Sequence, residues 1–173
     1  MIGKNKQCTG CSMGKMVRTM GIVFLLCAGS AAATEVAIQV VQHGGASDSV
    51  NTAVFLIEDE LLNSFFSAGF IVTNMPAVVS GADRVLNLKL VDESAAVGAE
   101  YAVQINVYID VAQSRNPETI SLADITQVVW VATTIASGTA VEGTTHKPSA
   151  LQNDERSIRQ YASNVARQII NVL

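Results

Sequence analysis

One strand-like segment constrains this sequence more than any other. Residues 98 to 111 read GAEYAVQINVYIDV, and from Tyr101 onward every second residue is apolar. A period of two is typical of a half-buried β-strand, in which alternate side chains lie on opposite faces. A slip of one residue would expose every apolar side chain, so we expect a strongly specified register. The apolar positions are Tyr101, Val103, Ile105, Val107, Ile109 and Val111, and the opposite face carries Gln104, Asn106, Tyr108 and Asp110.

The first 33 residues resemble a secretory signal peptide. Residues 1–18 contain four of the eleven basic residues and no acidic one, and an apolar run at 21–28 leads to small residues ending at Ala33. We therefore predict cleavage after Ala33, with residues 34–173 forming a single exported, periplasmic domain. A membrane anchor is the alternative, but the apolar run is well short of the ~20 residues that a spanning helix needs.

The three cysteines, Cys8, Cys11 and Cys27, all lie in this leader. Cys27 could be acylated, as in bacterial outer-membrane lipoproteins, although Leu26 stands where a small residue is usual. Cys8 and Cys11 form a CxxC with no second pair and no histidine nearby, so a chance pairing is favoured over zinc or redox chemistry. After cleavage no cysteine remains, and stability must come from the core rather than from a disulfide. The long leader leaves open a later start, at Met13 or Met16.

The predicted exported domain is acidic. It keeps seven basic residues against fifteen acidic ones, a net charge of −8. Phosphate backbones and anionic lipid surfaces attract lysine and arginine, so nucleic acid is not expected as a partner.

The first half of the domain predicts a strand, a helix and a second strand. Glu35–Gln42 is rich in β-branched residues, and Phe70–Thr73 is a short strand ended by residues 74–76. Between them lies an amphipathic helix, with Gly69 as its carboxyl-terminal cap. A unit of this length predicts a parallel strand pair. The helix has capping candidates at Ser47, Asp48 and Ser49 and an apolar stripe of Val50, Ala53, Val54, Ile57, Leu61 and Phe65.

The second half predicts a helix at Asp83–Val97, although Leu86, Leu88 and Leu90 also alternate as in a strand. After the strand at Tyr101–Val111 comes a polar loop at 112–123, of a length often used for recognition. A strand at 124–136 should pair antiparallel with Tyr101–Val111. A turn at Ser137–Gly138 into a strand at 139–145 is favoured over a bulge. The final helix should open at Pro148 and Ser149 and carry Leu151, Ile158, Tyr161, Ala162, Val165 and Ile169 on its apolar stripe.

These elements predict an α/β (α+β) sandwich. The expected order is β-α-β-α-β-β-(β)-α, with a mixed sheet of four to five strands and helices packed on the sheet.

No set of residues forms a catalytic, cofactor-binding or metal-binding signature. His43-Gly44-Gly45 resembles an esterase oxyanion loop, but the predicted exported domain, residues 34–173, has no G-x-S-x-G elbow, and a glycine turn between strand and helix explains it better. The same turn could hold an anion at its amides. His43 and His146 are the only histidines, and we expect both to be solvated.

Three further features have a structural and a functional interpretation. Glu58, Asp59 and Glu60 should fan outward as a solvated helix face rather than form a paired-carboxylate site. Trp130 and Tyr108 lie on strands and should fill the core or cover a sheet face. If both instead point to one uncovered face, they would form an aromatic patch for a partner.

The junction Gly98-Ala99-Glu100-Tyr101, and Gly69-Phe70-Ile71-Val72 at the second strand, resemble motifs of a small periplasmic α/β domain. This domain is shared by the amino-terminal part of the translocation protein TolB, the penicillin-binding-protein activator lipoprotein B and the curli secretion lipoprotein. The resemblance covers most of residues 35–173 and implies a non-catalytic envelope domain that docks onto another protein.

Three functional hypotheses follow. The first is an exported, non-enzymatic domain that binds an envelope protein through an open sheet edge or the 112–123 loop, as an accessory or assembly factor. The second is a small-ligand carrier or hydrolase that uses the Gly44–Gly45 turn. The third is a homo-oligomer whose contact is a second apolar surface on the first helix, formed by Phe55, Leu56, Leu62 and Phe66.

Overall fold

The computed structural model describes residues 33–44, 50, 52–79, 83–109, 125–147 and 154–173, without the side chains of 83–88. Residues Ala32–Leu173 form one compact unit, and the other unit, Met1–Ala31, lies outside the described residues. The order of elements and the fold class are as predicted. The elements are β1 (Glu35–His43), α1 (Thr52–Ser67), β2 (Ile71–Val79), α2 (Asp83–Ala96), β3 (Tyr101–Ile109), β4 (Ile125–Thr134), β5 (Thr139–His146) and α3 (Glu155–Ile170).

The five strands form one mixed sheet in the order β2-β1-β3-β4-β5. β1 is parallel to both β2 and β3, which confirms the predicted parallel pair. β3 and β4 are antiparallel, as predicted, and β4 and β5 form a hairpin through a turn at residues 135–138. Among the residues that the structure describes, β2 and β5 are therefore the two edges of the sheet.

The main core lies between one face of the sheet and the helices α1 and α3. Alternate residues of β1 and β3 join it, and the largest buried side chains include Phe65 of α1 and Tyr161 of α3. α2 packs against β1 and β3, and its buried Leu90 is not part of this core. Strand alternation therefore places α2 on the opposite face, so the sheet lies between two helical layers.

The expectation that β3 is half-buried is wrong. Ala102, Gln104 and Asn106, on the face opposite the main core, are as buried as the apolar residues between them. The reason is tertiary, because β3 lies between β1 and β4 and α2 packs on its second face. The register is the predicted one, with Val103, Ile105 and Val107 in the main core.

β2 does not end at Asn74, Met75 and Pro76 as predicted but continues to Val79. Its pairing with β1 shifts after Met75, so that Pro76 and Ala77 lie in a bulge. The side-chain amide Nε2 of Gln39 donates to the carbonyl of Pro76 at 3.2 Å. Proline has no N–H, and an edge strand with a bulge is where a sheet tolerates it.

The last helix does not begin at Pro148 and Ser149 as predicted, and these two residues lie outside the described ones. Helix α3 begins at Glu155, and Asp154 is its amino-terminal cap, with Oδ1 accepting from the Ser157 N–H at 2.7 Å. The backbone of Asp154 is extended, and its carboxylate accepts a hydrogen bond from the N–H of the residue three positions later. This bond satisfies a backbone donor that the first turn of the helix leaves without a partner. Leu151, like the proposed caps of α1 at residues 47–49, lies outside the described residues.

The predicted glycine cap of α1 is confirmed. Gly69 has φ +92°, its N–H donates to the Phe66 carbonyl, and the Phe70 N–H donates to the Phe65 carbonyl. These two bonds form a Schellman motif, and the edge-to-face contact of Phe65 and Phe70 supplies its hydrophobic contact. Within the described part of the chain, no helix is long and apolar enough to cross a membrane.

Candidate protein-binding surface

A polar cluster lies on the face of the sheet opposite the main core. His43 at the end of β1 pairs with Tyr108 of β3, and their rings stack with centroids 4.6 Å apart. Asn106 Oδ1 accepts from Gln104 Nε2 at 2.8 Å and lies 3.0 Å from His43 Nε2. Because an amide oxygen can only accept, His43 donates through Nε2 in this contact. The cluster therefore ties the ends of two parallel strands together.

The expectation that both histidines are solvated holds for His146 but is wrong for His43, whose ring is buried. The reason is again tertiary, because a parallel partner strand places Tyr108 and Asn106 against the ring. No group of three His, Cys, Asp or Glu residues in the described ranges could hold a metal ion.

Gly44 follows β1 in a left-handed backbone conformation, and the rest of the predicted glycine turn lies outside the described residues. Its φ is +84°, and a Cβ at this position would overlap the carbonyl oxygen of Ile109. Both the left-handed backbone and the close approach of β3 require glycine here. Gly45, the second glycine of the motif, lies outside the described residues.

The acidic run on α1 is only partly solvated. Asp59 and Glu60 lie 2.7 and 3.5 Å from the guanidinium of Arg159, which also bonds Glu155. The hydrogen bond with Asp59 is the main cause that raises the pKa of Arg159. The prediction that all three carboxylates fan into solvent is wrong for Glu58, which is buried. Position 58 falls four residues after Val54 and lies at the border of the apolar stripe.

Trp130 and Tyr108 lie on opposite faces of the sheet, so the proposed shared aromatic patch does not form. Trp130 pairs with Ile105 and belongs to the main core, whereas Tyr108 stacks on His43. Gly143 lies opposite Trp130 on β5, where a Cβ would overlap Cζ2 of the indole. Sequence reasoning missed Gly143, although a glycine inside a strand is a known signal of close packing.

Exposed apolar side chains gather where α1 meets the β2 edge. Phe66 is 73% exposed and Phe55 52% exposed, whereas Leu56 and Leu62 are half-buried and pack against the core. A shallow groove of about 360 Å³ lies between α1 and β2. We name this region the α1–β2 surface: Asp59, Leu62 and Phe66 of α1 line the groove with Val72 and Asn74 of β2. The helix period places the exposed Phe55 on the same side of α1 as Asp59 and Phe66, and we include it in this surface.

The other predicted recognition element, the loop at 112–123, lies outside the described residues. Among the residues that the structure describes, the α1–β2 surface is therefore the best candidate for contact with a partner. Large exposed apolar side chains beside the open edge of a sheet are typical of protein-binding sites.

Comparison with known proteins gives a family. A family model described as "Uncharacterised protein" matches residues 35–173. The chain belongs to this family. No curated protein matches the chain.

Three solved structures are similar to the chain. A PelC dodecamer from Paraburkholderia phytofirmans is 14% identical, with 78% of this chain and 88% of that chain covered and a TM-score of 0.41. The DUF330 protein XCC0632 from Xanthomonas campestris is 14% identical, with 80% and 82% covered and a TM-score of 0.40. The hypothetical protein CT253 from Chlamydia trachomatis is 11% identical, with 80% and 99% covered and a TM-score of 0.47. These values are too low to transfer a function to this chain.

Proposed function

We propose that this chain is an exported, non-enzymatic domain of the cell envelope that acts by binding another protein. The observation that carries the proposal is the α1–β2 surface, where Phe66 is 73% exposed beside an open strand edge. Exposing an aromatic side chain of this size to water is unfavourable, and aromatic anchors of this kind contribute most to protein interfaces. A partner that covers Phe66 would remove this cost.

The cellular part of the proposal rests on the sequence. A basic leader, an apolar run and small residues up to Ala33 support export to the periplasm. The resemblance to the TolB amino-terminal domain and its relatives supports a role as an accessory or assembly factor in the envelope. The outer-membrane lipoprotein acylated at Cys27 stays the alternative.

The test is crosslinking and affinity capture of the tagged chain from whole envelopes, comparing wild type with Phe66→Ser. Loss of a central aromatic anchor should cost roughly 2 kcal/mol of binding, about 30-fold in Kd. Val141→Ser is the matched control, since Val141 is an exposed apolar residue on the β5 edge. Both variants should keep the wild-type circular dichroism spectrum and Tm.

Two outcomes would contradict the proposal. If Phe66→Ser captured every envelope protein as well as wild type did, the α1–β2 surface would not be the binding surface. If mass determination of the purified chain found the leader intact on a cytosolic product, the proposal that the chain is exported would be wrong. The role predicted for the 112–123 loop is tested in the same capture assay by reversing the charge of Arg115.

A small-ligand carrier or hydrolase remains the second candidate, favoured by one observation. Gln104 Oε1 is buried and accepts no hydrogen bond from the described residues. Gln104 lies on β3, next to β1. Strands β2 and β3 flank β1 on opposite sides, and α/β sheets with this strand order bind ligands beyond the ends of the strands. A rise in Tm with added anions or nucleotides, abolished in Gln104→Leu, would support this candidate over the first.

A further inference from the structure

The two edges of the sheet differ in charge. β2, IVTNMPAVV, contains no charged residue over nine positions, and Ile71 and Val79 are 52% and 37% exposed. β5, TAVEGTTH, carries the exposed Glu142 at its centre. Natural edge strands are usually protected from pairing by charges, and an uncharged, apolar edge is a template for another strand. β5 therefore carries a protecting charge, whereas the only protection of β2, its proline and bulge at Pro76–Ala77, leaves residues 71–75 uncovered.

The backbone of β2 restricts which residues can pair. The Ile71 N–H donates to the Thr34 carbonyl within the sheet. Since alternate residues of a strand point their N–H and C=O groups to opposite sides, those of Val72 and Asn74 face the open edge. Pro76 has no N–H, so it interrupts any ladder that extends further. The pairing segment is therefore Ile71–Met75.

We propose that a second copy of this chain occupies this edge, so that two β2 strands pair antiparallel around a two-fold axis. The inference rests on the proposed function and names the first partner of the α1–β2 surface. Val72 of one copy lies opposite Asn74 of the other, with Thr73 on the axis, and the two pairs exchange four backbone hydrogen bonds. A register shifted by one pair of residues would place Asn74 on the axis and Val72 opposite Pro76, with the loss of donors. Pro76 thus selects the register.

Charge favours a second copy at β2 and disfavours it at β5. Two domains with a net charge of −8 repel each other wherever their carboxylates meet. At β2 the nearby carboxylates are already engaged, since Glu35 accepts from Thr73 Oγ1 and Asp59 is paired with Arg159. An antiparallel pair of β5 strands would instead bring the two Glu142 side chains together.

The exposed aromatic surface is large enough to contribute to such a dimer. Phenylalanine buries about 150–250 Å², so the exposed parts of Phe55 and Phe66 offer roughly 200–300 Å² per copy. A standard interface buries about 800 Å² per partner. The five-residue strand edge and the groove beside Leu62 and Val72 supply further area, and Phe66 lines the same groove as Asn74 of β2.

The experiment is sedimentation velocity on the chain as the cell processes it, over a concentration series, with hydrogen exchange on the same samples. The wild type should form a dimer, and the amides of Val72 and Asn74, which face the open edge, should become more protected as concentration rises. Asn74→Lys should raise the dimer dissociation constant by about tenfold or more, because it places two like charges in the interface. Thr144→Lys is the matched control on the β5 edge and should change nothing; both positions are exposed.

Either a chain that stays monomeric throughout the series or a dimer unaffected by Asn74→Lys would overturn the second-copy inference. The proposed function fails separately. A monomeric chain that still captures an envelope protein through Phe66 keeps the function without the dimer. A dimer that is lost in Asn74→Lys, with no envelope protein captured by any variant, keeps the dimer without the function.

Discussion

Replacing Gly143 by alanine sets two effects of opposite sign against each other. Alanine restricts the unfolded chain more than glycine does, which stabilises a protein by about 0.4–1 kcal/mol where the backbone tolerates it. Here the new Cβ would overlap Cζ2 of Trp130 and lie 2.5 Å from Cε2, whereas carbon atoms prefer separations of about 3.5–4.0 Å. Forcing extra volume against a buried side chain costs about 1–3 kcal/mol. Because the atoms that must move belong to a rigid indole in the main core, we expect a net loss of about 1–2 kcal/mol.

The assay is urea unfolding followed by far-ultraviolet circular dichroism, because Trp130 is the only tryptophan and fluorescence would be lost in its variants. Thr144→Ala, at an exposed neighbouring position, should stay within about 0.5 kcal/mol of wild type. In a Trp130→Leu background the indole is absent, so Gly143→Ala should become neutral or stabilising. A Gly143→Ala chain at least as stable as wild type, or the same loss in both backgrounds, would refute the steric argument.

The remaining predictions concern three polar contacts. Burial raises the pKa of Tyr161 to about 12. The contribution of the neutral phenol to stability should therefore be complete below about pH 10 and lost as the pH rises through the pKa of the folded state. Melting curves at alkaline pH should show a smaller loss of Tm for Tyr161→Phe than for wild type. The backbone hydrogen bond from Ser157 lowers the pKa of Asp154, so the Tm difference between wild type and Asp154→Ala should shrink from neutral to acidic pH, where the carboxylate is protonated; an unchanged difference would contradict the capping role. Asn106→Leu removes the acceptor shared by His43 and Gln104, and should destabilise by about 1–3 kcal/mol in urea unfolding, against a control change at the exposed Thr126.

Local sequence patterns were sufficient to predict most of the helices and strands. They did not predict the α1–β2 surface. The alternation of β3 predicts which of its side chains join the main core, and the apolar stripe of α1 predicts its buried face, because each pattern depends on residues close in sequence. Phe55 and Phe66 could be named from the helix period, but the sequence does not show that β2 leaves them uncovered. Their exposure depends on β2 being the last strand of the sheet, which is a property of strand order.

The corrected predictions share the same cause. Pro76 ends a strand by local rules, yet at a bulged edge its missing N–H costs no bond, so β2 continues. Buried His43 and Gln104 are polar residues that local rules place in solvent. Because β1 and β3 pair in parallel, His43 stacks on Tyr108, and both His43 and Gln104 contact Asn106.

Sequence alone determined the order of the elements, the register of β3 and the cysteine-free composition after residue 33, because these follow from periodicity and counting. Only the tertiary structure decided which strands are edges, which face of β3 meets α2, and why Gly143 must be glycine beside Trp130. These facts depend on contacts between residues far apart in the chain, and no local pattern encodes which partner a backbone edge or a sheet face will meet.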